Sequence, residues 1–210
     1  MCSSDLVAIG SLERFAADHA RLRMKELAGT YPKPTGKKVA LVGSGPASLI
    51  AAYDLVRLNY QVTIFEALHK LGGVLAYGIP NFRLPREILH EEIARLQNMG
   101  VEFVVDFIVG KTATIEDLFE EGFEAIFVGT GAGLPYMMGI PGENLVGVYT
   151  ANEFLTRINL MEAFKFPDSP TPVRVGRRTV IVGGGNSAMD AARWAKRMGS
   201  ETTILYRRGR

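Results

Sequence analysis

The sequence predicts an α/β fold with parallel sheets, and three observations carry that prediction. Two short apolar runs, over 38–42 and 179–182, each end in a glycine-rich turn. Each turn opens a helix-like stretch that leads to a second strand-like run, so one strand–helix–strand unit occurs twice. Glycine is the one compositional excess, at 23 of 210 residues, and those at 43, 45 and 183–185 stand in these turns.

Composition removes several classes. Charge is balanced, 24 Lys+Arg against 22 Asp+Glu for a net +2, which leaves no electrostatic footprint for nucleic acid or an acidic membrane. No run of about 18 apolar residues escapes a charge, so no membrane span is expected. A single cysteine excludes an internal disulfide framework, a cysteine-rich zinc site, an iron–sulfur cluster ligated by this chain alone and a two-cysteine redox centre. Residues 1–10 lack a basic start followed by a long apolar core, which predicts a cytoplasmic protein. The first six residues match the translation of a common sequencing adapter and are set outside the fold, Cys2 included.

The elements follow in order. Leu12, Phe15, Ala16 and Leu22, with charges between them, predict an amphipathic docking helix capped at Ser11 and ended by Gly29. Residues 38–42 read as a strand, 46–58 as a helix and 61–66 as a second strand. A Gly/Pro loop over 72–85 precedes a helix carrying Ile88, Leu89, Ile93, Leu96 and Met99, with Pro85 near its start and Gly100 past its end. A strand region spans 101–109. Thr114 and Asp117 mark the cap of a short acidic helix, and 125–128 is a buried strand entering Gly129-Thr130-Gly131. Thr150 with Glu153 fits a capping box for a helix bearing Phe154, Leu155 and Ile158. Pro167, Pro170 and Pro172 mark a linker, after which 179–182, a helix over 186–197 and a strand over 202–206 form the second unit.

A glycine-rich turn between strand and helix brings backbone N–H groups and the positive end of a helix dipole against a pyrophosphate, where side chains would obstruct it. In the first unit Gly43 serves the tight turn, Gly45 the close approach and Ser48 the close helix–strand packing. Glu66, 21 residues after Gly45, ends the second strand, where a carboxylate can accept hydrogen bonds from both ribose hydroxyls of an adenosine. The second unit has Gly183, Gly185 and Ala188 in the same three roles. Its acid is replaced by Arg207-Arg208, and a guanidinium pair suits a 2′-phosphate, which predicts NADP(H) over NAD(H). One acid-ended and one arginine-ended unit predict two dinucleotides, FAD in the first and NADP(H) in the second. The cofactors would carry the hydride chemistry, so no catalytic acid or nucleophile is expected.

Four further segments are more specific than the glycine turns: GGVLAYGIPNFRLP at 72–85, GTGAG at 129–133, IPGEN at 140–144 and TANEFLTRINLM at 150–161. They closely resemble the small-subunit-like flavoproteins of NADPH-dependent glutamate synthase, a family that includes the large subunit of NADH-dependent ferredoxin:NADP oxidoreductase and, more distantly, the flavin-containing part of dihydropyrimidine dehydrogenase. The resemblance runs from about residue 7 to 208. It implies that Gly45, Pro46, Ala47 and Ser48 hold the FAD pyrophosphate, Glu66 the ribose, and Gly72 and Gly73 the phosphate and ribityl region. Arg83 would contact FAD, Val109 would present backbone to the adenine, and the stretch containing Gly131 would be the crossover between cofactor domains. Gly184, Gly185, Asn186 and Ser187 would bind the NADPH phosphates, with Arg207 and Arg208 on the 2′-phosphate.

The resemblance thus implies a two-dinucleotide-binding-domain flavoprotein, tandem Rossmann-like and incomplete at its C-terminus. Residues 1–36 would be an N-terminal helix and linker, 37–165 the N-terminal part of the FAD-binding domain, 166–177 a linker and 178–210 the start of the NADPH-binding domain. Family members usually begin with a cysteine-rich iron–sulfur domain, so electrons would pass between NADPH, FAD and iron–sulfur centres on a missing segment or on a partner. That partner would be the glutamate synthase large subunit or a ferredoxin-type iron–sulfur subunit. A ferredoxin- or sulfide-linked oxidoreductase of the same family is the nearest alternative, and a non-catalytic nucleotide-binding module or inactive fragment is the alternative from another class. The fragment alone is expected to be inactive. His19, His69 and His90 read as surface residues, Glu91-Glu92 and Glu120-Glu121 as solvated helix faces, and Trp194 as helix packing.

Overall fold

The computed structural model describes residues 7–24 and 33–208, in two compact units divided after residue 32. The described part of the first unit is one helix, α1 (Ile9–Met24). It begins two residues before Ser11, which therefore lies inside the helix rather than at its cap. Leu12 and Phe15 are exposed on it, and the predicted stop at Gly29 lies outside the described residues, as do residues 1–6.

The second unit is built on β1 (Lys38–Val42), whose last four residues are all buried. A strand apolar on both faces must be covered on both, which makes it central in a parallel sheet. Around it are α2 (Pro46–Arg57), β2 (Gln61–Phe65), α3 (Val74–Tyr77), α4 (Arg86–Asn98), β3 (Glu102–Val104), α5 (Ile115–Glu120) and β4 (Phe123–Val128). The sheet order is β3-β2-β1-β4 with every pairing parallel. Val39, Leu41, Val62 and Ile64 pack against Leu49, Ala52 and Val56 of α2 and Leu89, Ile93 and Leu96 of α4. On the other face Ala40 and Phe65 pack with Leu118 of α5 and Phe123. The period of two along β1 and β2 thus divides one apolar run between two layers.

Strand order reverses between β1 and β4, the place in an open parallel sheet beside whose carboxyl edge ligands are generally received. The segment 101–109 pairs in register over only three residues; beyond them Asp106 turns left-handed (φ 55), and the Asp106 and Phe107 N–H groups donate to the Leu68 and Glu66 carbonyls instead. The loop at 72–85 contains α3, a single turn. Thr114 and Asp117 form the reciprocal capping box, and the hydrogen bonds from Thr114 hold the Asp117 carboxyl below its ordinary value. Its contribution is therefore present above about pH 4 and is lost as pH falls through the lowered value.

Beyond β4 come α6 (Ala151–Asn159), a 3-10 turn at Ala163–Lys165, β5 (Arg178–Val182), α7 (Asn186–Arg197) and β6 (Glu201–Leu205). At the start of α6 the Thr150 hydroxyl accepts from the Glu153 N–H at 3.2 Å. β5 and β6 pair in parallel with α7 crossing between them. Ile181 joins Phe154, Ile158, Ala163, Ala191 and Ala195 in a third apolar cluster, whereas Val180 and Val182 on the opposite face of β5 are exposed. Among the described residues no helix is long and apolar enough to cross a membrane.

Candidate functional site

Three backbone segments meet at the carboxyl edge of the first sheet. Gly43 follows β1 with φ +94, and a Cβ there would lie 2.6 Å from the Gly129 carbonyl oxygen at the end of β4. A Cβ on Gly73 would lie 2.8 Å from the Gly45 Cα, and Gly73 itself has φ +53. Gly43 therefore packs backbone on backbone against Gly129 and Gly73 against Gly45, and at Gly43 and Gly73 only glycine permits the approach.

Gly45 is different. Its φ of −70 is ordinary and no atom lies within 4 Å of a Cβ built there. Nothing within the described protein calls for glycine at this position. It is also the N-cap of α2, with no side-chain cap for the helix N–H groups, and Pro46 supplies no N–H of its own. Open space, uncapped donors and a helix N-terminus fit an anionic group coming to the backbone. Pro46 and Ala47 are exposed on that first turn, and Ser48 is fully buried beneath it, a Cβ on Gly129 coming 2.5 Å from its Oγ.

Glu66 immediately follows β2 and is 5% exposed. Oε2 accepts hydrogen bonds from the Ser44 N–H at 2.9 Å and from the Ser44 hydroxyl, and Oε1 accepts from the Leu68 N–H at 2.9 Å. The Ser44 Oγ in turn accepts from the Gly72 N–H at 2.8 Å. One buried carboxylate and one buried hydroxyl thus tie the first glycine turn, the end of β2 and the Gly72–Gly73 turn into one frame. Ser44 is not one of the three positions that the glycine motif marks, although a polar residue between Gly43 and Gly45, with an acid ending the next strand, is a visible cue.

Two more residues frame this loop. Arg86 donates through Nη1 to the Leu75 carbonyl and through Nη2 to the Ile79 carbonyl at 2.7 Å, and burial lowers its pKa. Tyr77 lies beside Gly133, and its phenol is pushed up first by burial and then by the Glu66 carboxylate. Val109 bridges to Ala113, two residues beyond Phe107, whose N–H donates to the Glu66 carbonyl. Gly131 stands in the exposed stretch after β4 with φ +70 and open space around it.

The second set gathers at the ends of β5 and β6. The Gly183 N–H donates to the Leu205 carbonyl at 2.9 Å, and a Cβ on Gly184 would lie 2.9 Å from the Tyr206 ring. Gly185 repeats Gly45: φ −78, an uncapped helix N-terminus and no atom within 4 Å of a built Cβ. Asn186 and Ser187 form the exposed first turn of α7, and Arg207 and Arg208 follow β6, both exposed. Arg83 belongs to neither turn, since its Nη1 lies 2.9 Å from Asp190 Oδ2 on α7. His19, His69 and His90 are exposed, on separate elements.

Residues 37–210 match the family described as pyridine nucleotide-disulphide oxidoreductase. The chain belongs to that family. These 210 residues contain one cysteine and therefore no cysteine pair. It is 42% identical over 179 residues to the NADP(+)-dependent formate dehydrogenase subunit beta of Moorella thermoacetica, covering 84% of this chain and 24% of that protein. It is 36% identical over 208 residues to the glutamate synthase [NADPH] small chain of Escherichia coli, covering 96% and 43%. It is 39% identical over 212 residues to the NADPH-Fe(3+) oxidoreductase subunit beta of Geobacter sulfurreducens, covering 98% and 30%. The chain thus spans less than half the length of these relatives. Among solved structures, FprA from Mycobacterium tuberculosis superposes with a TM-score of 0.69 at 25% identity, over 83% of this chain and 44% of that one.

Proposed function

We propose that this chain forms part of an FAD-dependent NADPH oxidoreductase, with residues 37–165 belonging to the FAD unit, 166–177 a linker and 178–210 the start of the NADPH unit. The observation that carries the reading is the convergence of Gly43–Gly45, Gly72–Gly73 and Gly129 at the strand-order reversal, with open space where a Gly45 side chain would stand and Glu66 bound to Ser44 beside it. The FAD pyrophosphate fits the uncapped α2 N-terminus at Gly45, Pro46, Ala47 and Ser48. Glu66 has three of its roughly four lone-pair positions occupied, which leaves it one for a ribose hydroxyl. Bound FAD would supply hydride and single-electron transfer, and the protein's part is binding and orientation. Gly183, Gly184, Gly185, Asn186 and Ser187 form the matching cradle for NADPH. The relatives are named as a small chain or a beta subunit, one of them of an NADPH-Fe(3+) oxidoreductase, which supports an electron route that leaves these residues for a partner, here the glutamate synthase large subunit or a ferredoxin-type subunit.

The direct test is to incubate the purified chain with FAD, remove free ligand by gel filtration and record the absorbance. Yellow, stoichiometric flavin in the protein peak supports the reading, and a folded, colourless protein overturns it. For the second unit, Arg207→Asp is expected to weaken NADPH binding by about 10- to 100-fold and NADH binding little, because charge-assisted bonds to the 2′-phosphate are lost. Titration with both nucleotides checks it, and equal losses would remove the 2′-phosphate role.

A further inference from the structure

One face of α7 is occupied in a way that the two glycine turns do not explain. Asp190, Arg193, Trp194 and Arg197 recur at the i, i+3, i+4, i+7 spacing that forms a single helical stripe. That stripe meets two consecutive side chains of the 72–85 loop. Arg83 is bound to Asp190, whose side chain is 5% exposed, while the Phe82 ring lies 3.9 Å beneath the Arg197 guanidinium and 6.2 Å from Trp194. Trp194 is backed in turn by Phe164 at 5.0 Å. The adjoining stripe of α7, Ala191 and Ala195, about 100° further round the helix, packs into the cluster around Phe154 and Ile158, which Trp194 also touches. The helix is therefore gripped on two sides, and the grip on the Asp190 side comes from the loop that begins at the first cradle.

The path between the cradles is short and made of defined contacts. Gly73 packs on Gly45, Arg86 fixes the carbonyls of Leu75 and Ile79, and Phe82 and Arg83 hold the α7 stripe that follows the Gly183–Gly185 turn. We propose that Phe82 and Arg83 are positioning residues that fix α7, and the glycine turn at its N-terminus, against the first cradle, so that occupation of one cradle favours occupation of the other. The coupling rests on the FAD and NADPH reading above; the positioning rests on the contacts themselves. An ordered first cradle holds the loop, the loop holds α7, and the second ligand then has less motion to arrest.

The test uses the 210-residue chain with Arg83→Met, which keeps the apolar stem and loses the charge, and Arg83→Lys, which keeps the charge. Backbone hydrogen exchange reads the positioning without any ligand. Amides of α7 are expected to lose tenfold or more of their protection in Arg83→Met, with β1 and β2 unchanged, and to recover in Arg83→Lys. FAD titrations with and without saturating NADP+ read the coupling. The wild type is expected to bind FAD about fivefold or more tightly with NADP+ present, a ratio that falls below twofold in Arg83→Met while the affinity for FAD alone stays within twofold. Unchanged α7 protection, or a tenfold loss of FAD affinity without NADP+, overturns the proposal, the second outcome assigning Arg83 to the FAD site instead. A wild type that takes up no FAD sinks the cofactor reading and the coupling, and the exchange data then decide the positioning role alone.

Discussion

Gly43→Ala is expected to abolish FAD uptake and to cost the fold about 2–5 kcal/mol. The position has φ +94, and a new Cβ would lie 2.6 Å from the Gly129 carbonyl oxygen, 3.1 Å from its carbon and 3.3 Å from the Thr130 Cα. All three are backbone atoms, so no side chain can rotate aside. Neither can the strands slide, because the Gly129 N–H donates to the Val42 carbonyl at 2.9 Å and β1 and β4 are in register beside it. Relief requires β4 to move away from β1, which opens the floor of the cradle. Chemical denaturation of the ligand-free protein reads the stability loss, and flavin retention reads the site. An alanine variant of wild-type stability would contradict the close approach.

The second large effect is expected at Glu66. Glu66→Ala removes the acceptor for the Ser44 N–H, the Ser44 hydroxyl and the Leu68 N–H in a buried place. Unsatisfied buried donors and the lost charge-assisted bonds cost about 2–4 kcal/mol together. FAD affinity is expected to fall by about 100-fold or more, because the ribose acceptor and the frame of the glycine turn go at once. Ser44→Ala separates the two contributions. It leaves the carboxylate free for ribose but frees the Gly72 N–H, so a smaller loss of affinity is expected than for Glu66→Ala, measured by the same flavin titration. Equal losses would make loop framing the whole role of Glu66.

Much of this frame is legible in the sequence, because its determinants are local. An apolar run on both faces marks β1, Thr114 with Asp117 marks a cap, and Gly43-x-Gly45 followed by Glu66 marks a strand–turn–helix–strand unit. What stays hidden depends on which distant residues meet. Nothing near Gly73 in sequence announces that it will pack on Gly45, and Arg83 stands in an apolar loop that resembles a cofactor contact while its partner is 107 residues away. Asp190 has a cue of its own as the one acid on a helix of small and basic residues, but its burial follows from the loop that covers it. The 101–109 stretch misleads for a similar reason: its apolar residues suit a long strand, but the ladder covers three residues and the left-handed Asp106 then re-aims the next N–H groups at the Leu68 and Glu66 carbonyls.

Gly45→Ala tests the central claim most directly, because fold and ligand make opposite demands on that position. Its backbone is ordinary and its surroundings are open, so alanine is expected to leave the denaturation midpoint unchanged. A methyl group projecting where a pyrophosphate must touch the backbone is expected to weaken FAD binding by about tenfold or more. Measuring both quantities on one preparation decides the matter: unchanged stability with lost FAD affinity is the result predicted, and FAD binding equal to that of the wild type would contradict a phosphate cradle at Gly45.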